Sequence, residues 1–100
     1  MKTSVRVSPQ VAQFVKSLAP EPRRALKRAI KFLAADKGDI KRLEGKLEEF
    51  TRLRVSGHRV IFHESCQRGE RVVDCVFAEK RAVVYELFLQ LRAEEFGATG

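Results

Sequence analysis

Arginines at alternating positions are the residues of this sequence best suited to chemistry. Arg52 and Arg54 lie in the alternating segment Phe50–Val55, and Arg59 follows the turn Ser56–Gly57. Successive side chains of a strand point to opposite faces, so Arg52 and Arg54 should share one face, and we expect Arg59 to join them from the next strand. A guanidinium can donate two parallel hydrogen bonds to a phosphate, so the pattern predicts a phosphate-binding surface. The alternative is a solvated face on which nearby glutamates pair with the arginines.

A second group of candidates, Lys80, Arg81 and Tyr85, follows the last predicted strand. Positive charge is unfavourable at a helix N-terminus, so two basic residues at the start of the final helix suggest that an anion binds there. Tyr85 could stack on a base or exchange a proton near a scissile phosphate. Its alternative role is that of a partly buried, hydrogen-bonded tyrosine.

Two histidines and three further basic residues complete the candidate set. His58, in the turn, and His63, in the next strand, could each act as an acid or base in RNA cleavage, although a lone histidine more often has no special role. Three basic residues ahead of the first alternating strand could contact an RNA backbone: Lys41, Arg42 and Lys46. Their alternative is an ordinary solvated surface.

The sequence predicts neither a metal ion nor a cofactor. It contains no phosphate-binding glycine loop, no nucleophile elbow and no His-Glu-x-x-His motif. A zinc site made of Cys66, Cys75, His58 and His63 is an alternative, but their spacing fits no common ligand pattern. We interpret both cysteines as reduced thiols. Basic side chains, histidines and a tyrosine suit metal-independent phosphodiester chemistry.

Charge and hydropathy limit the class of protein. The chain has 100 residues, with 20 Lys and Arg against 13 Asp and Glu, a net charge of +7. This excess favours a polyanionic partner, either nucleic acid or an acidic protein, over a membrane surface. The sequence has no long apolar run and no signal-peptide core, so we expect a cytoplasmic protein. We expect one domain over residues 1–96 and a frayed tail at residues 97–100.

Periodicity predicts one strand, two helices, three strands and a final helix. Thr3 to Val7 is the first strand, Ser8 and Pro9 begin a helix, and a second helix ends near Gly38. Residues 39–49 are expected to form a connection. The later strands cover residues 50–55, 59–63 and 71–77, and the last helix runs from Ala82 to Glu95. The predicted fold is α+β, with an N-terminal strand and helical hairpin packed on an antiparallel β-sheet and a C-terminal helix.

Three segments together resemble the RelE/ParE toxin superfamily: Leu43 to Gly45, Phe50 to Phe62, and Lys80 to Tyr85. They match a Leu-x-Gly step, an Arg-x-Arg-Val and Gly-x-Arg-Val-Ile strand pair, and an arginine shortly before a tyrosine. The resemblance covers nearly the whole chain and implies a RelE-like fold. It also implies a toxin that a cognate antitoxin neutralises. An acidic amphipathic segment of that antitoxin should cover the basic face or displace the last helix. The apolar surface around Val83, Leu87 and Leu91 is a candidate docking site, and the alternative is that this stripe only closes the core.

In RelE-like members, the resemblance implies cleavage of messenger RNA on the ribosome, without metal or cofactor, by attack of the 2′-hydroxyl on the adjacent phosphate. By position it implies catalytic roles for Arg52, Arg54, Arg59, Arg81 and Tyr85. Lysines stand in RelE where Arg52 and Arg54 stand here, and arginine stays charged, so the base role moves to Tyr85 or a histidine. One alternative is a ParE-like toxin that binds and inhibits DNA gyrase without being an enzyme. Another is a relative that binds RNA or an antitoxin without activity.

Overall fold

The helices and strands follow the predicted order, with one additional strand. The computed structural model describes the backbone of residues 2–99 and the side chains of residues 2–95. In chain order the elements are β1 (Thr3–Val7), α1 (Pro9–Ser17), α2 (Pro20–Phe32), β2 (Asp39–Arg42), β3 (Thr51–Val55), β4 (His58–Gln67), β5 (Glu70–Lys80) and α3 (Val84–Thr99). The predicted tail at residues 97–100 lies outside the residues whose side chains are described.

The five strands form one sheet in the order β1-β5-β4-β3-β2. Strands β2 to β5 pair antiparallel, as the short connections predict. Strand β1 pairs parallel with β5. The chain re-enters the sheet as β2 at the opposite edge, and the alternating directions of β2 to β5 bring β5 beside β1 in the same direction. The α+β prediction is confirmed, and the parallel edge strand makes the sheet mixed rather than antiparallel.

Helices α1 and α2 cover one face of the sheet. The Ser8 hydroxyl accepts a hydrogen bond from the Val11 N–H and caps α1, and a proline follows at the first helical position. Both helices then turn apolar residues toward the sheet, where they form a continuous core with the strands. Its most buried members are Val11, Leu26, Leu33, Leu53, Val60, Phe62, Val73, Cys75 and Ala78.

The segment after α2 differs from the prediction. The helix ends at Phe32, and Asp36 takes the left-handed conformation after a short 3₁₀ turn, so Gly38 does not end the helix. Gly38 instead introduces β2, with a φ of +132° that other residues rarely adopt. Residues 39–42, predicted as a connection, pair with β3 as an edge strand. This strand has only Ile40 as an apolar anchor, too little for an alternating pattern to be visible.

Helix α3 covers the opposite face of the sheet, which we call the α3 face. A second apolar cluster fills this interface, with Phe88 edge-on to Phe50 at 5.0 Å between ring centroids. The other buried members are Leu47, Ile61, Phe77 and Val84. The helix begins two residues later than predicted, at Val84 rather than Ala82.

The apolar residues of α3 are only partly buried. Val84 and Phe88 face the sheet, whereas Leu87 and Leu91 are each 40% exposed. Leu87 and Leu91 therefore leave an apolar strip of α3 open to a partner.

No helix within residues 2–99 has the length and apolar character needed to cross a membrane.

Candidate nucleic-acid interface

Strand register places the basic residues of β2, β3 and β4 on the α3 face. Arg54 lies opposite Arg59, and Arg52 lies opposite Ile61, which is buried under α3. On the other side of β3, Lys41 lies opposite Arg52. Directly opposed residues share a face of the pleat. Arg52, Arg54 and Arg59 therefore share one face, as their spacing predicts.

Arg59 does not present an open charge. Arg59 is only 5% exposed. Its Nη1 donates hydrogen bonds to the carbonyl oxygens of Ser56 and His58, both at 2.9 Å. It forms no ion pair with a carboxylate of residues 2–95. Both carbonyls belong to the turn between β3 and β4 and its first strand residue, so the Arg59 side chain folds back over the turn. The expectation that Arg59 lies open beside Arg52 and Arg54 is wrong.

Arg52 and Arg54 share one carboxylate, that of Asp39. The Arg52 Nη1 donates to the backbone oxygen and to Oδ1 of Asp39, both at 3.1 Å. The Arg54 Nε lies 3.9 Å from Asp39 Oδ2, and the Arg54 side chain is 54% exposed. Sequence reasoning weighed only glutamates as partners and missed Asp39, because residues 39–42 were not recognised as a strand. The available signal was a short Asp-Ile-Lys alternation after a glycine.

The predicted backbone-contacting residues surround this pair. Lys41 is exposed on the α3 face. The Arg42 Nε donates to the carbonyl of Glu48 at 3.2 Å, which holds Arg42 against the loop before β3. Lys46 is exposed and lines a groove of about 600 Å³ beside α3 with Leu47. Lys41 is therefore the one of the three that lies opposite Arg52 in the strand register.

Arg81 and Tyr85 belong to the segment that packs at the β3–β4 end of the sheet, where Arg54 also lies. The Arg81 N–H donates to the carbonyl of Gly57 at 2.9 Å, which fixes the start of α3 against the β3–β4 turn. Arg81 itself is exposed. Tyr85 is half-buried against the apolar cluster under α3, and its hydroxyl has no hydrogen-bond partner among residues 2–95. The hydroxyl is thus available to a ligand on this face.

His58 and Lys80 lie on the other face of the sheet. His58 is opposite both Val55 and Lys80 in the register, and its ring contacts Phe14 of α1 edge-on at 5.6 Å. Side-chain alternation therefore separates both residues from Arg52 and Arg54. Although His58 is next to Arg59 in sequence, the structure does not bring it into the predicted site.

His63 remains on the α3 face, but farther along β4. It lies four positions beyond Arg59, which corresponds to about 13 Å of strand. Its ring contacts Phe50 at 5.9 Å, and with Arg92 it lines the space between the sheet and the later turns of α3. Arg92 fixes that end of the helix through a 2.7 Å ion pair with Glu49 and a cation–π contact with Phe50. His63 and the arginine pair thus lie in different parts of the face.

The four side chains of the alternative zinc site do not come together. No group of three or more potential ligands, whether His, Cys, Asp or Glu, occurs within the residues described. Both cysteines are free thiols, Cys66 exposed and Cys75 buried. Burial raises the pKa of the Cys75 thiol to about 12, so this sulfur is a packing group of the core.

Arg6 and Asp74 form an ion pair at the far side of the sheet, between β1 and β5. The Arg6 Nε and Nη2 donate to the two Asp74 oxygens at 2.8 and 3.0 Å. These hydrogen bonds lower the pKa of Asp74, and nearby His63 adds a smaller effect in the same direction. A depressed carboxyl pKa contributes stability above the unfolded value of about 3.9, and that stability is lost as pH falls through the folded value.

We therefore expect Asp74→Asn to lower the free energy of unfolding at about pH 7, and we expect this effect to shrink as pH falls through the lowered pKa of the Asp74 carboxyl. Urea unfolding of both proteins across this range measures the difference. An Arg6→Gln control should reproduce the same pH dependence, because it removes the same hydrogen bonds. A constant difference at every pH would show that Asp74 stabilises the sheet by packing rather than by charge.

Comparison with known proteins identifies the fold. Neither a protein-family model nor a curated protein sequence matches this chain. A chain of the archaeal RelE–RelB complex from Pyrococcus horikoshii is 24% identical, covers 81% of this chain and 97% of its own length, and superposes with a TM-score of 0.61. A chain of the toxin–antitoxin complex RelBE2 from Mycobacterium tuberculosis is 16% identical. The match covers 81% of this chain and 100% of that chain, with a TM-score of 0.67.

A toxin described as YoeB/ParE from Agrobacterium tumefaciens is also similar, with 14% identity, coverage of 81% of this chain and 99% of that chain, and a TM-score of 0.61. Each match spans almost the entire length of the solved chain. The molecule therefore has a RelE/ParE-like toxin fold, as the resemblance of its motifs implies.

Proposed function

We propose that this chain, which has the fold of the RelE/ParE toxins, is the toxin of a type II toxin–antitoxin pair and cleaves messenger RNA on the ribosome. The observation that carries the proposal is the arrangement on the α3 face. Arg54 and Lys41 are exposed there beside Arg52, and the Tyr85 hydroxyl on the same face has no internal partner. Phosphate-binding groups and a proton-exchanging group thus occupy one surface.

The proposed reaction is an internal transesterification. The 2′-oxygen of a ribose attacks the adjacent phosphorus, and the bond from phosphorus to the 5′-oxygen breaks. The 2′-hydroxyl loses its proton to a base, and the leaving 5′-oxygen takes one up, which yields a 2′,3′-cyclic phosphate and a 5′-hydroxyl. Negative charge builds up on the phosphoryl oxygens, where the Arg52 and Arg54 guanidinium groups would stabilise it. Metal is not required by this route.

Proton transfer is assigned to Tyr85: its phenolate would take the 2′-hydroxyl proton, and the phenol so formed would donate a proton to the leaving 5′-oxygen. Arginine stays charged and is a poor base, and His58 faces the other side of the sheet. His63 shares the face but lies away from the arginine pair. Arg81, at the start of the α3 segment, would hold a phosphate of the same strand. In this proposal Arg59 is a positioning residue, because its guanidinium orders the turn that anchors Arg81.

The proposed protein partner is a cognate antitoxin, and the proposed location is the cytoplasm, where ribosomes translate. Two of the similar structures are toxin–antitoxin complexes. The net charge of +7 favours an acidic partner. Its apolar side would dock on the exposed strip of α3 that includes Leu87 and Leu91. A small acidic protein encoded next to this chain would be the expected antitoxin.

A cleavage assay in a translating extract tests the proposal. Purified protein should cut messenger RNA within ribosomes without any added cofactor. Cut positions are mapped by primer extension. Intact transcripts together with loss of gyrase supercoiling would instead identify the ParE-like alternative.

Arg81→Ala and Tyr85→Phe should each relieve growth arrest, with cleavage slowed by about 100-fold. Arg81 is exposed, and phenylalanine keeps the packing of the Tyr85 ring, so circular dichroism and the unfolding midpoint should stay unchanged. Lys80→Ala is the matched control, because Lys80 is the adjacent basic residue on the opposite face. If Arg81→Ala and Tyr85→Phe both remain fully toxic, the assignment of these residues is wrong.

A further inference from the structure

The carboxylate of Asp39 stands between the two arginines that the proposed function assigns to phosphate. Its Oδ1 lies 3.1 Å from Arg52 Nη1, and its Oδ2 lies 3.9 Å from Arg54 Nε. A phosphodiester bound between these guanidinium groups would present the same feature, two anionic oxygens shared by two cations. The carboxylate therefore occupies the position that a bound phosphate would take.

We propose that Asp39 is a built-in competitor of the RNA phosphate, which holds the arginine pair together and must release Arg54 when RNA binds. The inference rests on the proposed function and adds a means by which this surface selects its ligand. An anion that reaches only one guanidinium would not displace the carboxylate. A phosphodiester strand that also engages Lys41 and Arg81 would.

The unequal contacts of the two arginines make this exchange possible. The Arg54 contact is long, and both partners are more than half exposed, so water screens the ion pair and it is weak. Arg52 is 15% exposed and donates to the Asp39 backbone oxygen as well as to the carboxylate. When the carboxylate swings away, the backbone bond remains and Arg52 keeps its orientation. Arg54 is thus the movable member of the pair.

The local fold keeps Asp39 in this position. Gly38 has a φ of +132°, and a side chain there would place its Cβ 2.9 Å from Leu53 Cδ1. The backbone of Gly38 therefore packs directly on β3, and β2 begins with Asp39 opposite Arg54. A larger residue at position 38 would shift that register. Asp39 is placed by the turn before it and not by its own charge alone.

An affinity measurement tests the inference without requiring cleavage. The probe is a short single-stranded DNA, which has the phosphates of an RNA but no 2′-hydroxyl, titrated by fluorescence anisotropy at several salt concentrations. Asp39→Asn should tighten binding about 5-fold at low salt, because one repulsive charge about 4 Å from the phosphate is removed. The advantage should shrink as salt rises, and Asp39→Glu should behave like the wild-type chain.

Asp36→Asn is the matched control. It removes the same formal charge three residues away, where Asp36 pairs with Arg71, and asparagine tolerates the left-handed backbone of that position. We expect less than about a 2-fold change in affinity. Equal tightening by both variants would mean that only net charge matters, and no tightening by Asp39→Asn would overturn the inference directly.

An Arg54→Gln variant in the same titration separates this inference from the proposed function. If Arg54→Gln weakens binding while Asp39→Asn leaves it unchanged, the arginine pair does bind nucleic acid, but Asp39 does not compete with the phosphate. If Arg54→Gln leaves binding unchanged, the surface itself is not the nucleic-acid interface and the proposed function fails with it.

Discussion

An Arg54→Gln variant is expected to cut messenger RNA about 100-fold more slowly than the wild-type chain and to unfold at the same urea concentration. Arg54 is half exposed, and its one ion pair is long, so its loss should have little effect on stability. If it contacts the phosphoryl oxygens, however, its loss removes a positive charge where negative charge develops. Single-turnover cleavage on programmed ribosomes and equilibrium unfolding measure the two quantities.

The control for Arg54→Gln is Arg68→Gln. Arg68 is an exposed arginine in the hairpin between β4 and β5, away from the β3–β4 turn. Its replacement lowers the net charge by the same amount and should change cleavage by less than about 3-fold. Equal losses in both variants would mean that the protein uses its overall charge to reach RNA and that Arg54 has no specific role.

Arg59→Met is expected to destabilise the chain by about 2–4 kcal/mol. Methionine fills much of the same volume but donates no hydrogen bond, so the carbonyls of Ser56 and His58 lose the partner that Arg59 supplies at 2.9 Å. The turn that receives the Arg81 N–H should loosen as well, and cleavage should fall because Arg81 is misplaced. Urea unfolding gives the loss of stability.

Arg59→Lys separates a positioning role from a direct one. Lysine keeps the charge and can donate to one of the two carbonyls, so it should recover part of the stability and part of the activity together. An Arg59→Met variant that is as stable as the wild-type chain but inactive would contradict our interpretation. It would mean that the buried guanidinium acts on RNA directly.

Local patterns in the sequence predict most of the secondary structure. Alternation identifies β3 and β4, and apolar spacing identifies α1 and α2, because both depend on side chains only a few residues apart. The shared face of Arg52 and Arg54 follows from the same rule. The resemblance of the Arg-x-Arg-Val motif and its neighbouring segments to the RelE/ParE toxins also predicts the fold, and the solved RelE-type structures confirm it.

The tertiary structure alone decides which charges are open. Arg54 and Arg59 are cross-strand neighbours of identical chemistry, yet one is 54% exposed along its side chain and the other lies buried over turn carbonyls. Asp39 reaches the arginines only through strand pairing across residues 43–50. Pairing and burial depend on segments distant in the chain, and a local pattern contains no information on them. The sequence therefore determined which residues could bind phosphate, and the packing of the sheet decided which of them can reach it.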